Sequence, residues 1–221
     1  GVEADFREYY GYKNNNLSTI YNPVLDDAYF EKLKMPVSHE FLNDDHKVIL
    51  AVGRLTEAKN FCFLIHSFKA LHDQHADTRL IILGEGELRS ELEALIAQLN
   101  LTDVVDLPGF DTNPYAYFKY ASLFVLSSNW EGLPGVLIQA LASKVKVVST
   151  DCPSGPREIL DHTKFGLLVE CNDQAGLTQA MQQAIFANYV QYQEADFELH
   201  IQQFHKQTVL KQYFHMMESA T

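Results

Sequence analysis

The sequence predicts a doubly wound α/β domain, a parallel sheet with helices packed on both faces. Two observations carry that expectation. Six short, largely apolar runs, at 48–52, 80–83, 104–107, 123–126, 145–149 and 166–169, are of a length that suits strands, those at 48–52 and 123–126 being apolar throughout. Segments between them place apolar residues three and four apart, so strand alternates with helix, and such crossovers join parallel neighbours.

Taken in order, residues 1–12 read as a short amphipathic helix with neither a start signal nor an initiator Met, an element that looks cut from something larger. Residues 14–18 form a polar turn, and 17–24 an extended stretch broken by Pro23. Residues 25–46 are polar, with a short helix near 29–33. After the first strand, Phe61, Leu64, Ile65, Phe68 and Leu71 form a helical stripe; after the second, Leu88, Leu92, Leu95, Ile96 and Leu99 form another. A short polar helix near 114–119 precedes the fourth strand. Helices are expected at about 173–188 and, as one long element marked by Phe197, Ile201 and Phe204, at 195–218.

Composition narrows the classes. At 221 residues, 47% hydrophobic and 21% charged, the chain can bury a sizeable core. A net charge of −12 argues against the broad basic footprint of a nucleic-acid binder, while leaving room for a local basic pocket. Three cysteines without a C-x-x-C spacing do not make a disulfide or zinc framework and fit a reducing compartment. His72 and His75 are placed on one helix face with no further metal ligand beside them, so a solvated surface is expected. No apolar run reaches membrane-span length and no signal peptide is visible, so a cytoplasmic protein is expected.

The densest chemistry lies at 127–142 (SSNWEGLPGVLIQALA). A buried strand feeds a glycine-containing turn and then a helix, with Pro134 suited to its first turn. Free N–H groups and the helix dipole at such a start favour phosphate. Glu131 can accept hydrogen bonds from hydroxyls, and Gln139 shares a helix face with Gly135, which has no side chain to block it. Together they suit a ligand that is part sugar, part phosphate.

The stretch from Glu131 to Gln139 (EGLPGVLIQ) resembles the glutamate–seven residues–glutamate motif of retaining GT-B glycosyltransferases of family GT4. The resemblance implies that Glu131 contacts the donor sugar, that Gln139 meets the ribose hydroxyls, and that Gly132, Leu133, Gly135 and Val136 line the same pocket. Gln139 departs from the family's second glutamate; a neutral amide still bonds a hydroxyl, but with roughly half the strength of a charged acceptor.

Three further loops fall where ligands bind in a doubly wound sheet, outside the carboxyl ends of strands. Gly53, Arg54 and Lys59 (GRLTEAKN) put two cations at one strand end of an acidic protein. A solvated loop is the bland alternative; the resemblance implies that Arg54 and Lys59 hold the donor diphosphate and replace a metal ion. Gly84 and Gly86 permit either a tight turn or close backbone approach to a ligand, and the resemblance implies that this ligand is the nucleotide. Gly109 and Phe110 (LPGF) are a plain turn or, by resemblance, the wall against the base. The loop 149–158 (STDCPSGPRE) resembles a GT4 subgroup that adds sugars to bacterial surface polysaccharides. Trp130 either walls the sugar site or is buried.

The resemblance covers about residues 14–218, with 1–24 as the end of a first domain and the junction, 25–194 as the Rossmann-like donor-binding domain, and 195–221 as a C-terminal helix that packs back on the missing half. It implies the C-terminal half of a hexosyltransferase, inactive alone, that binds a nucleotide-sugar donor, UDP-linked by preference, without a metal. The glycan or lipid-linked acceptor would be met through the N-terminal half, and the parent enzyme could touch a membrane peripherally. A non-catalytic nucleotide-sugar module, favoured by Gln139, and a GT-B sugar-nucleotide epimerase are the alternatives. A dinucleotide oxidoreductase is disfavoured because no G-x-G-x-x-G follows the first strand.

Overall fold

In the computed structural model, which describes residues 7–11, 17–42, 46–187 and 192–219, the six expected strands form one sheet in the order β3-β2-β1-β4-β5-β6, with every pair parallel. They are β1 (Lys47–Val52), β2 (Thr78–Leu83), β3 (Val105–Gly109), β4 (Leu123–Leu126), β5 (Val147–Thr150) and β6 (Leu167–Val169). The order grows outward from β1 in one direction and from β4 in the other, so the connection reverses between them. That crevice is the topological switch point.

Alternate residues of each strand feed two separate cores. Ile49 and Ala51 of β1, with Leu80 and Ile82 of β2, pack on one face against α2 (Phe61–His72), α3 (Arg89–Gln98) and α7 (Gln174–Phe186). Val48, Leu50, Ile81 and Leu83 point the other way, toward α1 (Asp27–Leu33), α4 (Tyr115–Phe118), α5 (Gly135–Ala142) and α6 (Pro156–Ile159). A three-layer arrangement covers both faces of such strands, which is why the runs at 48–52 and 123–126 are continuously apolar.

Three expectations are corrected. The element expected at 195–218 is two helices, α8 (Glu194–Gln202) and α9 (Lys206–Ser219), separated at Gln203–His205. At the break the Phe204 carbonyl accepts from Val24 N and Leu25 N, Lys206 N donates to the Leu25 carbonyl, and Leu25 pairs with His205 in parallel. Phe204 itself is fully buried beside Tyr21. Tertiary backbone bonds thus replace the helical ones that a continuous element would make. The helix near 114–119 is not polar in its packing: Ala116, Tyr117 and Phe118 are buried. His72 ends α2 while His75 lies beyond it. The first bonds Thr78 and stacks on Phe68, and the second stacks on Phe186, so both are half-buried instead of solvated on one helix face.

Smaller differences follow from local chemistry. Pro134 caps α5 from outside in an extended conformation instead of sitting in its first turn. Residues 7–10 are helical; 1–6 and 12–16, which hold the rest of the first expected helix and most of the polar turn, lie outside the described residues. Residues 17–24 carry no strand.

Candidate functional site

Because β1 pairs with β4, the loop that leaves β1 and the turn that leaves β4 are neighbours at the carboxyl edge. They are stitched together. Ser127 Oγ donates to the Lys59 carbonyl at 2.8 Å, Asn129 N to the Ala58 carbonyl at 2.8 Å, and Asn129 Nδ2 to the Glu57 carbonyl at 3.0 Å. Asn60, in the left-handed region at φ 49°, reaches Asn129 at 2.9 Å and Asn172 at 3.2 Å through its amide nitrogen. Asn tolerates that conformation better than most residues.

This stitching sets the central contact. Lys59 Nζ lies 2.5 Å from Glu131 Oε1, with the two side chains only 21% and 10% exposed. The buried Ser128 hydroxyl donates to the same oxygen at 2.6 Å. Lys59 is therefore a neutralised cation. Arg54 is exposed and has no acidic partner among the described residues, which makes it the cation open to an anion.

Beside these residues lies a cleft of about 420 Å³, lined by Gly53 and Arg54 just after β1, Gly84 and Glu85 just after β2, and Phe110 and Asp111 just after β3. Its walls continue the sheet's ladder: Gly53 N donates to the Leu83 carbonyl, Gly84 N to the Gly109 carbonyl and Leu55 N to the Glu85 carbonyl, each at 2.9 Å. The walls are clamped by Arg89, which bonds Glu85 at 2.8 Å, Glu93 at 2.8 Å and the Leu107 carbonyl at 3.2 Å. Gly84 has φ +146°, and a Cβ there would lie 1.8 Å from the Gly53 carbonyl oxygen. The Gly84–Gly86 loop makes a tight turn pressed onto the β1 loop, where Gly86 likewise has no room against Leu55, and Gly84 also lines the cleft. Phe110, 75% exposed, stands at the mouth.

Gln139 is half-buried on α5, its Nε2 lying 3.4 Å from Tyr115 Oη, and Tyr29 Oη donates to its backbone carbonyl at 2.6 Å. Burial, then the neighbouring Tyr115, drives the Tyr29 hydroxyl well above its ordinary value, so it remains a donor. Tyr117, bonded to Asp111, is pushed up to about 12 by burial and that carboxylate. The Gly132–Val136 segment follows Glu131 directly: Gly132 is exposed, Leu133, Gly135 and Val136 are intermediate, and Gly135 faces Val24. Trp130 is 52% exposed and so is not a core residue.

The loop after β5 closes the far side of the turn. Gly155, at φ +89°, is so close to the Gly132 carbonyl that a Cβ would lie 2.6 Å from it. Glu158 accepts from Gly155 N at 3.2 Å and Tyr21 Oη at 3.3 Å, and Arg157 pairs with Asp151. Cys152 is buried there, and burial, with Cys171 and Glu131 nearby, pushes its thiol up to about 11. Among the described residues no group of three or more His, Cys, Asp or Glu could hold a metal ion.

The sequence pattern did not single out Ser128, Tyr115 or the three asparagines. Ser128 stands three residues before Glu131, a spacing that could have suggested a bond. Tyr115 and Asn172 reach the site only through the fold.

A cation, a carboxylate and a glycine-walled cleft gather at the carboxyl edge of the parallel sheet, where ligands bind in doubly wound α/β domains. The model of the family described as glycosyl transferases group 1 matches residues 37–194, and the chain belongs to that family. Its fold is that of the C-terminal, Rossmann-like half of a GT-B glycosyltransferase. A Campylobacter jejuni protein named N-acetylgalactosamine-N,N'-diacetylbacillosaminyl-diphospho-undecaprenol 4-alpha-N-acetylgalactosaminyltransferase is 45% identical over 135 residues, which are 61% of this chain and 36% of the relative. A glycosyltransferase from Rickettsia africae superimposes with a TM-score of 0.83 at 19% identity, covering 99% of this chain and 61% of that one. The S. aureus protein TarM, in a structure with fondaparinux, alpha-GlcNAc-glycerol and UDP, superimposes with a TM-score of 0.75 at 19% identity over 98% of this chain and 42% of that one. The chain spans about a third of the length of the curated relatives it matches, 31% and 36% for two of them.

Proposed function

We propose that this chain is the donor-binding part of a retaining glycosyltransferase, taking a UDP-linked sugar and working, with an N-terminal half, on a glycan or lipid-linked acceptor in surface polysaccharide synthesis. The observation that carries the reading is the Lys59–Glu131 pair at the β1–β4 edge, next to the cleft that Arg54 lines. In this reading the base enters between the Gly84 and Phe110 walls, and Gln139 meets the ribose. Arg54 receives the diphosphate first. Lys59, already placed by Glu131, adds its charge as the leaving diphosphate develops, so preorganised cations do the work that a metal ion does elsewhere. Glu131 holds the sugar. The bound UDP of the TarM structure and the acetylgalactosaminyl transfer in the Campylobacter relative's name support the ligand class.

Calorimetric titration with UDP, GDP and ADP, beside an Arg54→Ala, Lys59→Ala double variant, tests this. Selective binding of UDP that the double variant loses is the expected result. Equal binding by the variant would overturn the placement of the diphosphate. The alternative of a non-catalytic module rests on Gln139, whose neutral amide binds a ribose hydroxyl less strongly than a carboxylate.

A further inference from the structure

We infer that Ser128 is a positioning residue for the donor's sugar, acting by dividing the labour of the Glu131 carboxylate between its two oxygens; the inference rests on the donor-site reading above. Oε1 receives both protein donors, Lys59 Nζ at 2.5 Å and Ser128 Oγ at 2.6 Å. Oε2 has no partner among the described residues, yet it is not one of the sealed, unsatisfied polar atoms. It is therefore the acceptor left to a ligand, and a sugar hydroxyl is the donor that fits it.

Lysine alone cannot impose this division. Its ammonium is a point charge with three rotatable donors, and a carboxylate turns freely beneath it, offering either oxygen or both. A second donor of fixed direction is needed. Ser128 is fully buried, and its own carbonyl is tied from behind by Thr150 Oγ1 at 2.6 Å, with Cys171 Sγ close at 3.9 Å. The hydroxyl thus comes from a backbone that cannot shift, and it locks the rotation of the Glu131 carboxyl. Without it the carboxylate can turn toward Lys59 with both oxygens, and the sugar loses its acceptor while the diphosphate keeps its cations.

The prediction is selective. In titrations of the 221-residue chain, Ser128→Ala binds UDP as the parent does but binds UDP-N-acetylgalactosamine about tenfold more weakly, the scale of one charge-assisted hydrogen bond. Ser128→Thr, which keeps the hydroxyl, restores the difference between the two ligands. Melting temperatures identify any variant that has lost its fold. If Ser128→Ala weakens both ligands equally, or neither, while Glu131→Ala weakens the nucleotide sugar alone, the positioning role is wrong and the donor site stands. If Glu131→Ala changes neither ligand, or the parent binds neither, the donor-site reading fails and this inference falls with it.

Discussion

Replacing one or both members of the Lys59–Glu131 pair separates two effects that the geometry combines. At an N···O distance of 2.5 Å, opposite unit charges attract by about 7 kcal/mol in an effective dielectric of about 20. Removing two ions from water and ordering a long lysine chain offset most of that, leaving about 1–3 kcal/mol for a pair that is neither exposed nor deeply buried. A double-mutant cycle of Lys59→Met and Glu131→Gln, read by urea denaturation, should return a coupling of that size. A coupling below about 0.5 kcal/mol would show that the pair adds nothing measurable to stability. The ligand response has opposite signs for the two sites. Lys59→Met should weaken UDP binding, whereas Glu131→Gln, which unmasks the cation, should leave it unchanged or tighten it by up to about tenfold. If Glu131→Gln weakens UDP as much as Lys59→Met does, the carboxylate is not masking charge and the reasoning is refuted.

Gly84→Ala should cost about 3 kcal/mol or more, because the added methyl meets a backbone carbonyl and the positive φ is strained for any L side chain; a melting temperature within a degree of the parent would refute the close approach of the β1 and β2 loops. The Cys152 thiol is held protonated up to about 11, while the unfolded chain releases that proton near the ordinary value of about 8.5. The contribution is whole below the ordinary value and is lost as pH rises toward 11; urea midpoints that fall over this window in the parent but not in Cys152→Ser would bear this out, and identical slopes would sink it.

The strands were legible because burial on both faces leaves largely apolar runs, unbroken at 48–52 and 123–126, and the helices between them because one face of each is apolar. The edge that gathers the site was legible too, since a turn at a strand's carboxyl end lands there in any parallel sheet. What escaped was made by distance along the chain. Phe197, Ile201 and Phe204 keep helical spacing, so nothing local announces the break at Gln203–His205; its cause is a pair of backbone groups at Val24 and Leu25. Nothing local to Lys59 announces its ion pair, because Glu131 is 72 residues away. At Gly84 the close approach to the Gly53 carbonyl is equally unannounced by anything local.

The bonds between Leu25 and the Phe204–Lys206 corner also bear on how the protein takes mechanical load. The two segments run parallel, so a pull applied before Val24 and after Lys206 slides them past each other along their common direction. The three backbone bonds there, Val24 N and Leu25 N to Phe204 and Lys206 N to Leu25, are then strained together instead of opening one at a time like a zip.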